Sequence, residues 1–199
     1  MKRKKQRAGF TLLEVMIAVG LMTVGALAIM AMQQAATRGN IEARQIGTAT
    51  DITSRWVERL RREAIGWNQT GETVPAAAGT LAAINGAPNT WFRAPAATFA
   101  GDVGPAFDWM GLPLANPAGQ AISYCTFVRL RWVSTGSSMR ADVLTWWHRR
   151  GAGGDPAISD LSLFANCGEG VEANVIANLG SSTTVLRSVS ASTLLRWTP

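Results

Sequence analysis

The pattern of apolar and polar positions divides the chain into three parts. From Phe10 to Met32 there are 23 residues, of which only Thr11, Glu14, Gly20, Thr23 and Gly25 are not plainly apolar. As a helix rising about 1.5 Å per residue, this run is roughly 35 Å long, enough to cross a hydrocarbon core of about 30 Å. The pattern then becomes amphipathic. Ile46, Ala49, Ile52, Trp56 and Leu60 recur at spacings of three and four, with Arg44, Asp51, Arg55, Glu58, Arg59, Arg62 and Glu63 largely between them. No proline precedes Pro75, so the spacing predicts one helix from Phe10 to about Ile65, stopped at Gly66 and the "WNQTGET" that follows. Such a helix would be about 84 Å long, so its second half must leave the bilayer and be covered by the head along one stripe.

Residues 71–121 are rich in Ala, Gly, Pro, Asn and Thr, with Trp91, Phe92, Phe99, Phe107 and Trp109 scattered among them. This composition predicts loop or short irregular structure held by aromatic anchors, because disordered segments are poor in aromatics. In "AISYCTFVRLRWVS", Ile122, Tyr124, Val128, Leu130 and Trp132 alternate with Ser123, Arg129 and Arg131, the period of a half-buried strand. After "TGSS", Met139, Ala141, Val143 and Trp147 alternate with Arg140, Asp142 and His148, which completes an antiparallel hairpin. "GAGGDP" at 151–156 reads as a turn, and residues 183–197 as one or two further strands. The expected class is α+β, a long N-terminal helix packed on a small antiparallel sheet. Its segments are a basic leader, 1–9; an apolar half-helix, 10–32; an amphipathic half-helix, 33–66; and a globular head, 67–199.

Charge alters this picture only at the N-terminus. The sequence pI of about 10.3 suggests an anionic partner, but Lys2, Arg3, Lys4, Lys5 and Arg7 supply five of the positive charges. From Phe10 onward 14 arginines face 13 acidic residues, so a nucleic-acid footprint on the body loses its support. The same five charges place the N-terminus in the cytoplasm and the head outside. A cleaved secretory signal fits less well, because the apolar run is long and no A-x-A-like site follows it. Cys125 and Cys167, the only cysteines, fall in the segment placed in an oxidising compartment, where a disulfide is favoured over two separate buried thiols.

A carboxylate inside a membrane helix costs about 2.5–3.5 kcal/mol at the helix centre and less near an end, so Glu14 calls for a positive partner. The leader arginines could serve. Cleavage between Gly9 and Phe10 would supply another, a new α-amino group four residues away or on a neighbouring helix shifted along the axis.

"GFTLLEVMIAV", Gly9 to Val19, after a short basic leader, resembles the N-terminus of type IV pilins and type II secretion pseudopilins. The resemblance covers roughly residues 2–32. It implies that a membrane-embedded prepilin peptidase cuts after Gly9 and methylates the nitrogen of Phe10, and that Glu14 recruits the subunit into a filament by pairing with a neighbour's N-terminal amine. "TLLEVMIAVGLM", the mature length of 190 residues, "WWHRR" and "STLLRW" most resemble PilV-type minor pilins. The implied role is priming of pilus assembly or a tip complex, with other minor pilins, the major pilin, the inner-membrane assembly platform, a tip adhesin and the lipid bilayer as partners. The implied location is the inner membrane with a periplasmic head, and then the extracellular pilus. A minor pseudopilin of a type II secretion system is the alternative, and a membrane-anchored enzyme a third reading. Many pilins have a proline within the membrane helix; here Gly20 and Gly25 are the expected loosening points.

No constellation for chemistry accompanies these features. His148 has no Ser/Asp or Cys partners in sequence and reads as a sheet-edge residue. Trp146, Trp147 and Arg149–Arg150 could stack on a ligand but read as packing. "GAGG" lacks the Lys-Ser/Thr of a phosphate loop. Arg59, Arg61 and Arg62 beside Glu58 and Glu63 read as a solvated, mutually paired face. No enzyme activity, cofactor or metal site is expected.

Overall fold

The computed structural model describes residues 11–69, 75, 79–96, 103–114, 122–148, 164–179 and 186–197. Its first element is the helix α1, Leu12–Gln69. Contacts divide the chain into two units, Met1–Ala43 and Arg44–Pro199, and α1 contributes residues to both.

In the second unit α1 packs on an antiparallel sheet, five-stranded among the described residues. The strands are β1 (Trp91–Arg93), β2 (Ala106–Phe107), β3 (Tyr124–Ser134), β4 (Ser138–His148) and β5 (Leu186–Arg196). Their order is β1-β3-β4-β5, with β2 also pairing with β3. The hairpin register runs from Tyr124 opposite Trp147 to Ser134 opposite Ser138, with an irregularity between Trp132 and Ser134. Residues 183–197 were expected to hold one or two strands; the described part forms one, paired with β4 from end to end.

The helix stripe and one sheet face cover each other. Ala49, Ile52, Trp56 and Leu60 are fully buried in one core with Tyr124, Val128, Leu130, Met139, Ala141 and Val143. Side chains at alternate strand positions share a face, so the predicted alternation is what builds this core. Ile46 departs from the expected stripe and is 45% exposed. The helix also outruns its expected stop. Gly66 lies inside α1 because Trp67, one residue later, is buried and meets Trp132 edge-on at 6.0 Å. Burying an indole outweighs the roughly 1 kcal/mol that an interior glycine costs.

Residues 71–121 are less irregular than their composition predicts. Their described parts hold a 3₁₀ helix, Thr80–Asn85, and the strands β1 and β2. Phe107 is fully buried and Trp91 and Phe92 are strand residues, whereas Trp109 is exposed, with the Arg44 guanidinium 5.7 Å from its ring; Phe99 lies outside the described residues. At the turn after β2, Asp108 Oδ1 accepts the N–H groups of Met110 and Leu112 at 2.8 and 2.9 Å. Gly111 there has φ 81°, and a Cβ at that position would lie 2.7 Å from the Thr48 methyl on α1, so only glycine fits.

The strands were expected to be half-buried, and part of the second sheet face proves to be covered as well. A helix α2, Glu172–Leu179, and a 3₁₀ turn, Ala165–Gly168, were not anticipated. Phe164, Cys167 and Val175 form a second core with Cys125, Phe127, Leu144, Trp146 and Leu186. Trp146 sits 4.6 Å from Phe164 and 5.6 Å from Phe127 between ring centroids, so it is a packing residue. Cys125 and Cys167 are joined by a disulfide, with Cα atoms 5.3 Å apart. The bond fastens a turn in which Asn166 and Cys167 take left-handed backbone angles (φ 51° and 53°), a conformation that costs a residue with a Cβ roughly 1–2 kcal/mol. Cys167→Ser is expected to destabilise the head by about 2–5 kcal/mol. Thermal unfolding with and without reductant checks this: the parent loses stability on reduction and the variant is indifferent to it.

Candidate functional site

The N-terminal segment begins, in its described part, at Thr11. The Thr11 hydroxyl accepts the Glu14 N–H at 3.3 Å, and the Thr11 carbonyl accepts the N–H groups of Glu14 and Val15. Thr11 thus serves as the N-cap that α1 needs for its unsatisfied first-turn donors. Glu14 is the third residue of the helix and the acidic member of its first turn. There the carboxylate faces the positive end of the helix dipole, a contribution of about 0.3–1 kcal/mol, which leaves most of its cost in a membrane uncompensated. Among the described residues Glu14 has no ion-pair partner. Gly9 and Phe10, the predicted processing positions, lie outside the described residues.

The segment from Leu12 to Met32 presents apolar side chains on every side. Leu12, Met22 and Met32 are more than 70% exposed, and no part of the most apolar window is buried within the chain. Its length and composition suffice to cross a membrane. A helix that is apolar all round must be covered by lipid or by other helices. Thr23 removes its own polarity by donating to the carbonyls of Gly20 and Val19, at 2.8 and 3.0 Å. Gly20 and Gly25 lie within continuous α-helix, and a Cβ at either would meet nothing within 4 Å. The glycines therefore fill no packing need inside the chain.

In the head, the residues first read as a solvated face are differently placed. Arg59 is buried; its guanidinium lies 4.8 Å from the Trp56 ring and donates to the Val103 carbonyl at 2.5 Å and to Glu63 at 3.1 Å. Glu63 in turn accepts the N–H groups of Thr80 and Leu81 at 2.7 and 3.2 Å and the Thr80 hydroxyl at 2.8 Å. Two side chains one turn apart on α1 thus hold the incoming loop and cap its 3₁₀ helix. Arg61 and Glu58 keep the exposed pairing expected of them, at 3.9 Å. A pair at i, i+4 on a helix is legible in sequence; that the loop would close over it was not.

His148 ends β4, an interior strand, opposite Leu186, and is not at a sheet edge. Arg149, Arg150 and the 151–156 turn lie outside the described residues. Among the described residues no three of His, Cys, Asp and Glu come together as a metal site. A polar cluster that the sequence did not single out lies on the sheet face away from α1. Asp142 accepts from Arg129 Nε and Nη2 at 3.2 and 2.9 Å and from Arg140 Nε at 2.7 Å. Arg129 lies 4.6 Å from the Trp91 ring.

Residues 4–30 match the family model of the prokaryotic N-terminal methylation motif. No curated protein and no solved structure matches the chain.

Proposed function

We propose, from the premise that this chain carries a type IV pilin-like class III signal peptide, that it is a minor pilin. A prepilin peptidase cuts between Gly9 and Phe10 and methylates the Phe10 nitrogen. The subunit then sits in the inner membrane with its head in the periplasm until it joins a pilus, where it primes assembly or forms part of a tip complex with other minor pilins. The observation that carries the reading is the motif at residues 4–30 followed by a helix that is apolar on all sides and uncovered within its own chain.

The physical chemistry of the step follows. Before cleavage, the leader charges hold the N-terminus at the cytoplasmic surface. Afterwards those five charges are gone, and one α-amino group remains at the end of the helix. Methylation adds a carbon while the nitrogen stays protonated and cationic. Glu14 and that amine, on helices shifted along the axis, neutralise each other where water is scarce, and the exposed leucines, methionines and valines of α1 are covered by neighbouring helices. The charge pair sets the axial register and the apolar surface supplies the bulk of the association.

The head takes no part in that step and acts as a structural subunit. A minor pseudopilin of a secretion system would use the same N-terminal device. Deletion of the chain separates the two: loss of surface pili, with the chain recovered from sheared pili of the parent, supports the pilin reading. Normal piliation with failure of exoprotein secretion would overturn it in favour of the secretion apparatus.

A further inference from the structure

We propose that the outer edge of β5, together with the arginine cleft beside it, is a docking site for an extended acidic segment of a different protein chain, which adds to the sheet as another strand. Among the described residues no further strand pairs with β5, and α2 packs on it around Leu186. The strand pairs with β4 over its whole length with no register shift, and it contains no proline. The Trp197 N–H donates to the Ser137 carbonyl at 2.8 Å, which fixes the phase of the ladder. Odd-numbered residues of β5 turn their N–H and C=O groups to β4, and Ser188, Ser190, Ser192 and Leu194 turn theirs outward. A strand edge of this length without bulge or proline is what proteins otherwise avoid presenting, and it is a template for another strand.

Charge decides what kind of strand. The side chains of Ser190 and Ser192 point to the face away from α1 and border a cleft of about 160 Å³, lined also by Trp91, Arg129, Arg140 and Asp142. Its volume is about that of five waters, room for a carboxylate and a few flanking atoms. Asp142 is shared by Arg129 and Arg140, and Arg131 stands directly opposite Arg140 in the register. Like charges directly opposite on a sheet are destabilising. Two guanidinium groups thus share one carboxylate, and among the described residues no second carboxylate answers the terminal nitrogens of Arg140. A strand added to β5 would lie two strand spacings from β4, about 9.5 Å, a gap that an arginine and a glutamate close between them. A second copy of β5 does not answer this need, since Leu186–Arg196 carries two arginines and no acidic residue. The inference holds whether or not the chain enters a filament.

The test uses the full chain in detergent and a fluorescein-labelled nine-residue peptide alternating Glu with Thr and Val. Compared with it are the same peptide with Gln for Glu and one N-methylated at alternate backbone nitrogens. The Glu peptide is expected to bind at least tenfold more tightly than either control, and to slow hydrogen exchange at Ser188, Ser190, Ser192 and Leu194. R140Q is expected to abolish the advantage of Glu over Gln without changing thermal unfolding; R140K, which keeps the charge, is expected to retain it. Equal binding of the Glu and Gln peptides would overturn the proposal, as would tight binding without protection of those amides, which marks a simple anion site. Protection of the same amides in the peptide-free chain as it dimerises would overturn it in favour of a second copy.

Discussion

Replacing Glu14 with Ala is expected to leave the chain in the membrane and to lower its recovery in filaments by at least about tenfold. The variant makes the helix more apolar, so insertion is unaffected or improved. What is lost, on the proposed reading, is the carboxylate that pairs with a neighbour's terminal amine. Tenfold corresponds to about 1.4 kcal/mol, a modest demand on a charge pair removed from water. Gln at the same position keeps the shape and the hydrogen-bonding oxygen without the charge; if charge sets the register, Glu14→Gln falls with Ala rather than with the parent. Membrane fractions and sheared filaments, blotted side by side, provide both readouts. Undiminished incorporation of the Ala variant would remove the docking role from Glu14.

The second large effect is in the head. Trp56→Ala is expected to destabilise it by about 3–5 kcal/mol, because a fully buried indole is replaced by a methyl group in a close-packed interior. Trp56 also donates its indole N–H to the Gly104 carbonyl at 3.1 Å and carries the Arg59 guanidinium on its ring, so its removal leaves a buried acceptor and a buried cation less well held. Ile46→Ala, drawn from the same sequence stripe but exposed, is expected to change stability by less than about 0.5 kcal/mol. Urea titration of the full chain in detergent, followed by tryptophan fluorescence, compares the two.

That contrast shows where the sequence was informative. Periodicity gave the helix, the stripe at Ala49, Ile52, Trp56 and Leu60 and the β3–β4 hairpin, because burial on one face is imposed by the local period of the chain. It misjudged the ends. Ile46 has the right spacing but lies beyond the reach of the sheet, and Gly66 has the right chemistry for a stop but is overridden by the burial of Trp67. The strands were read as half-buried because Arg129, Arg131, Arg140 and Asp142 occupy the second face at one end. Cys125, Phe127 and Trp146 occupy it at the other, where α2 and the disulfide cover it. The disulfide that fastens that cover joins positions 42 apart in sequence, and no local pattern announces it. The Arg59–Glu63 pair was legible as a pair, and its burial under the loop was not. Of the proposed site, the basic leader, the expected cleavage position and Glu14 form one contiguous stretch, which is why a local reading of the sequence could propose them. The arginine cleft is assembled across four strands and depends on a register that only the structure supplies.

The measurement that bears most directly on the account is the mass of the N-terminal peptide of the membrane-extracted chain, with and without an active prepilin peptidase. The expected peptide begins at Phe10, lacks the nine leader residues, and carries one additional methyl group that disappears, together with the cleavage, when the peptidase is inactive. A peptide that still begins with the basic leader in the presence of active enzyme would contradict the account, leaving Glu14 as an ordinary residue of a single membrane anchor.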